Sequence, residues 1–218
     1  MTSTTQPTAA NPSSGELIKT HIRGQIGDLQ RHYLHNQGGA GAAARAALAK
    51  LRRIDPLDPG GEPEAYSLIF DSLPETLMGR GDEPSSGEIA ASAALYLFAI
   101  HQQGRSDATH IPGTRFAAAV RQLAYQRGTS GDLDDSVVTR FNHLCRASSD
   151  AMRITQLRSL VTLMRSARVG FDYGQLATDL FWIHRRPDDS RVYLRWARDF
   201  HRPVSDAPSP TSDPTPGA

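Results

Sequence analysis

The sequence is poor in the residues that would staple it, metallate it or anchor it. Cys145 is the single cysteine, so neither a disulfide framework nor a cysteine metal site can form within the chain. It stands among Phe141, Leu144 and other residues at helical spacing, which marks it as a buried structural thiol. No apolar run approaches the roughly 20 residues of a membrane span. The most apolar stretch, residues 89–100, is too short and too rich in alanine. The N-terminus lacks the basic-then-apolar pattern of a signal peptide. These absences point to a reducing, cytoplasmic setting without membrane contact. No alternating run of β-branched residues lies between turn signals, so no strand is expected. Lysine is nearly missing too: Lys19 and Lys50 are the only two, a bias that genome composition alone can produce.

What is present is arginine, unevenly placed. The formal net charge of +1 selects no partner. Between residues 55 and 88, however, nine acids face only Arg80, whereas residues 140–202 hold twelve arginines against six aspartates. Such lopsidedness suggests a basic surface turned toward an anion or an acidic partner.

Residues 152–202 organise the chain. Ile154, Leu157, Leu160, Val161 and Met164 recur at three- and four-residue steps and share one helix face, with Arg153, Arg158, Arg165 and Arg168 between them. A second helix brings Phe171, Leu176, Leu180, Trp182 and Ile183. A third, opened by Pro187 with Asp188 and Asp189, carries Val192, Tyr193, Trp196 and Phe200. Both tryptophans fall here, which marks it as the thickest part of the core. Upstream, helices are expected at 15–36, from Gly38–Gly39 to Ile54, at 64–71, 88–102, 114–126 and 133–147. The 88–102 helix is apolar enough to be central. Gly24 and Gly27 weaken the first helix or admit a close neighbour. The 218 residues suit one large domain or two small ones, and about 180 ordered residues can bury roughly 70% of their unfolded surface. The expectation is an all-α, compact bundle of about eight to nine helices over residues 15–202. The pattern allows either one body or two sub-bundles divided near 128–131. Residues 1–14 and 203–218 have the composition of disordered tails.

Catalytic chemistry finds little support. The glycines at 38, 39 and 41 lack the spacing of a phosphate loop and follow a helix rather than a strand. His32 and His35, with Asp28 a turn away, lack a further metal ligand at suggestive spacing and read as a surface pair. Asp134 and Asp135 read as charges at a helix N-terminus. No nucleophile motif is present, so no catalytic residue, metal or cofactor is expected. The arginines are the candidates. Arg52 and Arg53 end a helix, Arg105 and His110 flank a loop, and Arg115 and Arg121 follow it. Arg185 and Arg186 close another helix, while Arg191, Arg195, Arg198 and Arg202 step by four, three and four into a single stripe. A guanidinium fork fits phosphate geometry, and a row of them can neutralise a nucleic-acid backbone without reading sequence.

The segment LRSLVTLMRSARVGFDYGQLATDLFWIHRRPDDSRVYLRWARDF resembles the small subunit of the type I-E CRISPR Cascade complex, the CasB family. Its arginine-bearing helix, the Phe171-Asp172-Tyr173 turn, the Leu-x-x-Asp-Leu helix with its tryptophan and the final Trp-Ala-Arg-Asp-Phe run carry the likeness. Upstream, the GGAGAAARAALAKLRRI helix, the acidic proline-rich loop, the apolar helix ending near His101 and Gly113-Thr114-Arg115-Phe116 follow the same order. The resemblance implies an all-helical, non-enzymatic subunit. It would work with other Cascade subunits and a second copy of itself, holding guide RNA and opened target DNA in an R-loop. It implies nucleic-acid contacts at Arg52 and Arg53, at Arg105 (where the family carries more than one cation) and at Arg191 with Arg185 and Arg186. Charge and stripe position add Arg121 and Arg195. The alternative from another class is a helical adaptor whose basic face meets an acidic protein.

Overall fold

The computed structural model describes residues 12–35, 38–187 and 189–202. The expected tails therefore lie outside the described residues, apart from positions 12–14 and the start of the first helix, and so do Asn36 and Asp188. Among the described residues nine α-helices follow in order: α1 Ser14–His35, α2 Gly39–Leu51, α3 Tyr66–Ile69, α4 Ser86–Gln102, α5 Phe116–Arg127, α6 Asp135–Cys145, α7 Asp150–Ala167, α8 Tyr173–Arg185 and α9 Arg191–His201. Two 3-10 turns, Pro63–Ala65 and Glu75–Leu77, flank α3. Among the described residues there is no strand, only one isolated bridge between His110 and Phe171. The chain is all-α.

Helix α4 is the axis of the body. A capping box starts it: the Ser85 hydroxyl accepts from the Glu88 N–H (3.1 Å), and the Glu88 carboxylate accepts from the Ser85 N–H (2.6 Å). From Ile89 to Gln102 every side chain is buried. Its run of alanines keeps the helix thin enough for α1, α2, α7 and α8 all to pack on it. The apolar faces of α5, α6 and α9 extend the same hydrophobic cluster through Val120, Leu123, Val137, Phe141, Trp196 and Phe200.

Several expectations need correction. The core is thickest around α4, and Trp182 is only half-buried while Trp196 is fully enclosed. Segment 64–71 is a 3-10 turn and a single α turn, because Pro63 and Pro74 confine it. The Cys145 thiol is half-buried rather than buried; burial pushes its pKa up to about 11, which keeps it protonated. Gly24 and Gly27 face open space, so no close neighbour explains them. Close approach occurs elsewhere, between α1 and α8. A methyl group at Gly174 would sit 2.6 Å from the Lys19 carbonyl oxygen, and one at Gly15 would sit 2.7 Å from the Trp182 indole nitrogen.

One buried joint locks the two halves of the sequence together. The Ile111 N–H donates to the Phe171 carbonyl (3.0 Å), Phe171 N–H to Thr109 (3.1 Å) and Asp172 N–H to Thr114 (2.7 Å). Asp172 caps α8 through the Gln175 N–H (3.1 Å) and also accepts from the Gly113 N–H (2.9 Å) and from Arg23 Nε of α1 (3.0 Å). Burial disfavours its charge, but these donors outweigh burial and hold its pKa below the usual range. Beside it, His110 Nδ1 accepts from the Tyr173 N–H (3.2 Å), which makes that ring neutral. His101 stacks on Phe171, and its Nδ1 meets the Tyr173 hydroxyl at 2.9 Å. Burial, helped by the nearby Arg105 charge, lowers the His101 pKa to about 3. Both rings belong to the core as uncharged groups.

Candidate nucleic-acid interface

The C-terminal aspartates decide which arginines are available. Asp179 of α8 is 3% exposed; it accepts from Arg195 Nη2 (2.5 Å), Trp196 Nε1 (2.6 Å) and Gln175 Nε2 (3.1 Å). Burial raises its pKa, with Arg195, Trp196 and Gln175 opposing. Arg195 is thereby fixed on α9 with its side chain 34% exposed. Buried Asp199 likewise holds Arg115 Nη1 at 3.0 Å, which ties α9 to the start of α5. Arg153, expected on a polar face, is buried between Asp150 (2.5 Å) and the Tyr193 hydroxyl (2.9 Å).

The eight sequence candidates separate into three groups. Arg105 is a joint residue: its fork grips Asp107, its Nη1 donates to the Arg165 carbonyl and its side chain is 10% exposed. This removes it from any open basic face, a commitment that loop position alone did not reveal. Arg52 and Arg53 stand at the end of α2, half-buried and exposed respectively, and neither makes a side-chain hydrogen bond or ion pair among the described residues. The remaining five gather around α8 and α9. The Arg185 guanidinium lies 5.8 Å from the Phe181 ring centre, and that of Arg186 lies 4.9 Å from Trp182. Arg191 is 72% exposed and pairs with Asp189 (2.6 Å), whose pKa that pairing lowers to about 2. Arg121 donates to the Phe200 carbonyl at 3.0 Å.

Two grooves organise this region. One, of about 280 Å³, is lined by Trp182, Arg186, Asp189, Arg191, Val192 and Arg195. The other, of about 420 Å³, lies between α5 and α9 and includes Arg115, Arg121, Asp199 and Arg202. Helix α9 runs from the first to the second, and its 11 residues span about 16 Å. Arg115 and Arg202 thus join the site although they were not among the eight candidates. Arg202 was legible as the last step of the stripe, while the placing of Arg115 depends on Asp199, a contact 84 residues distant. Among the described residues no three His, Cys, Asp or Glu side chains converge as a metal site. His32 and Asp28 line a separate groove on α1. None of the described helices is long and apolar enough to cross a membrane.

Fold and surface together define an all-α protein with an arginine-lined groove at each end of its last helix. The model of the family "CRISPR-associated protein Cse2" matches residues 47–201. The crystal structure of CasB from Thermobifida fusca superposes with a TM-score of 0.69 at 29% identity, covering 85% of this chain and 98% of that one. Comparison with curated proteins gives no match. The chain belongs to the CRISPR-associated Cse2 family, the CasB-type subunits of type I-E Cascade.

Proposed function

We propose that this Cascade subunit is non-catalytic and holds nucleic-acid backbone along α9, stabilising the guide RNA–target DNA R-loop and its displaced strand in the cytoplasm. It does so beside other Cascade subunits and a second copy of itself. The observation that carries this reading is the continuity of α9 between two arginine-lined grooves. A face about 16 Å long matches about five phosphates of one strand held in the stacked form it has in a duplex, at about 3.4 Å of axis each, and fewer of an extended strand. Arg52 and Arg53 supply a second, separate contact. R-loop formation is close to energetic balance, so a few backbone contacts suffice to tip it.

The test is a titration of the full chain against single-stranded and duplex DNA over a salt series. Binding should weaken steeply with salt, and the triple variant Arg52→Ala/Arg53→Ala/Arg191→Ala should show a shallower slope, by about 0.7 per lost phosphate contact on single strands. A slope unchanged in a folded variant removes these arginines from the interface. Absence of nucleic-acid binding, with salt-sensitive binding to an acidic Cascade subunit instead, establishes the adaptor reading.

A further inference from the structure

The two tryptophans are placed very differently. Trp196 is enclosed and donates its indole N–H to Asp179 at 2.6 Å. Trp182 is half-buried, its indole N–H has no hydrogen-bond acceptor among the described residues, and its ring lines the groove beside α9. Packing on α1 uses the indole nitrogen edge, which rests against Gly15. The Arg186 guanidinium lies over the ring at 4.9 Å. Arg191 and Arg195 line the same groove, with Asp189 gripped by Arg191. The groove therefore combines an aromatic ring, a guanidinium placed over it and two further cations, Arg191 paired with Asp189 and Arg195 with Asp179. Its volume of about 280 Å³ lies just under the ~300 Å³ at which small-molecule sites begin, which suits a single ring system.

We propose that this groove receives one unpaired nucleobase of single-stranded nucleic acid, stacked on the Trp182–Arg186 pair, while Arg191 and Arg195 hold the flanking phosphates. This rests on the backbone-binding reading above and adds a base contact to it. Arginine stripes alone bind any polyanion, but an indole and a guanidinium plane both present flat faces that stack with bases. The Asp189 carboxylate is saturated by Arg191 and orients that fork rather than reading a base edge, so every base is accepted. Duplex, whose bases are already stacked, is not.

The experiment compares short oligo(dT) and oligo(rU) with an abasic strand of equal length and charge, bound to the full chain at low salt, with affinity and tryptophan emission read together. Base-bearing strands should bind at least about fivefold more tightly than the abasic one and quench emission. Trp182→Leu should erase both the preference and the quenching, and Trp182→Phe should keep most of the preference. If Trp182→Leu fails to fold, Arg186→Gln replaces it and should weaken the preference. A preference for oligo(dT) or oligo(rU) alone identifies which strand the groove serves. Equal affinity for abasic and base-bearing strands with unchanged emission overturns the base site and leaves backbone binding standing. No binding of any strand overturns both. An acidic peptide that binds as tightly as oligo(dT) and quenches Trp182 equally also overturns the base site.

Discussion

The loop between α4 and α5 and the start of α9 each carry an arginine gripping an aspartate two residues away, Arg105 with Asp107 and Arg191 with Asp189. Locally the two motifs are alike. Around Arg105 the chain closes in: α7 offers the Arg165 carbonyl, and only a tenth of the side chain meets solvent. Around Arg191 nothing closes, and the same pairing leaves the guanidinium exposed at the lip of a groove. Burial by other helices, which is a tertiary property, thus separates an arginine that holds the fold from one free to meet a ligand.

The sharpest way to break this contrast lies at a third pair, Asp179 with Arg195. Asp179→Ala strands the Trp196 N–H and a half-covered guanidinium. It should cost about 3–5 kcal/mol in urea unfolding; a loss under about 1 kcal/mol would refute burial as the divider. Arg105→Ala should cost about 2 kcal/mol through lost charged hydrogen bonds and should affect strand binding only as far as the fold loosens, as melting curves and titration together will show. Acid should distinguish the core at the end of α4 from the start of α9 as well. His101 in the core has a pKa of about 3 against about 6.5 when unfolded. Between those values the unfolded chain binds more protons, so stability is complete above pH 6.5 and declines as pH falls. From pH 7 to 5 the loss from His101 is about 2 kcal/mol, and His101→Gln should flatten that part of the curve. The Asp189–Arg191 pair, with its carboxyl at about 2, should persist throughout. The smallest stability effect belongs to Arg191→Ala, under about 0.5 kcal/mol, combined with a measurable loss of single-strand affinity.

Periodicity carried most of the fold. Ile18, Ile22 and Ile26 at four-residue steps, and Val137, Phe141 and Leu144 at steps of four and three, are buried as their spacing requires. Most helix ends moved by a residue or two, where caps such as Ser85 and Asp134 decide, but α2 stops three residues before Ile54 and α9 starts at Arg191, four after Pro187. The site was less legible. The stripe Arg191–Arg195–Arg198–Arg202 was visible because helix geometry is local, but its inequality was not. Arg195 is spent partly on Asp179 sixteen residues away, whereas Arg198 has no such partner among the described residues. Likewise Trp182 and Trp196 look equivalent in a heptad-scale pattern, and only the helices packed around them assign one to the core and the other to the surface.

The glycine contacts between α1 and α8 have a consequence for biosynthesis. These helices touch backbone to backbone, yet roughly 140 residues separate the end of one from the start of the other. At about 5–20 residues per second, a ribosome needs about 7–30 s to bring α8 into existence after α1 has emerged. Throughout that interval α1 has α2, α4 and the Glu75–Leu77 turn to pack against, but not α8, the helix it meets most extensively. The nascent chain therefore carries an incompletely sheltered apolar stripe until α8 has been made, and the body cannot close before then even if each helix forms as it leaves the tunnel.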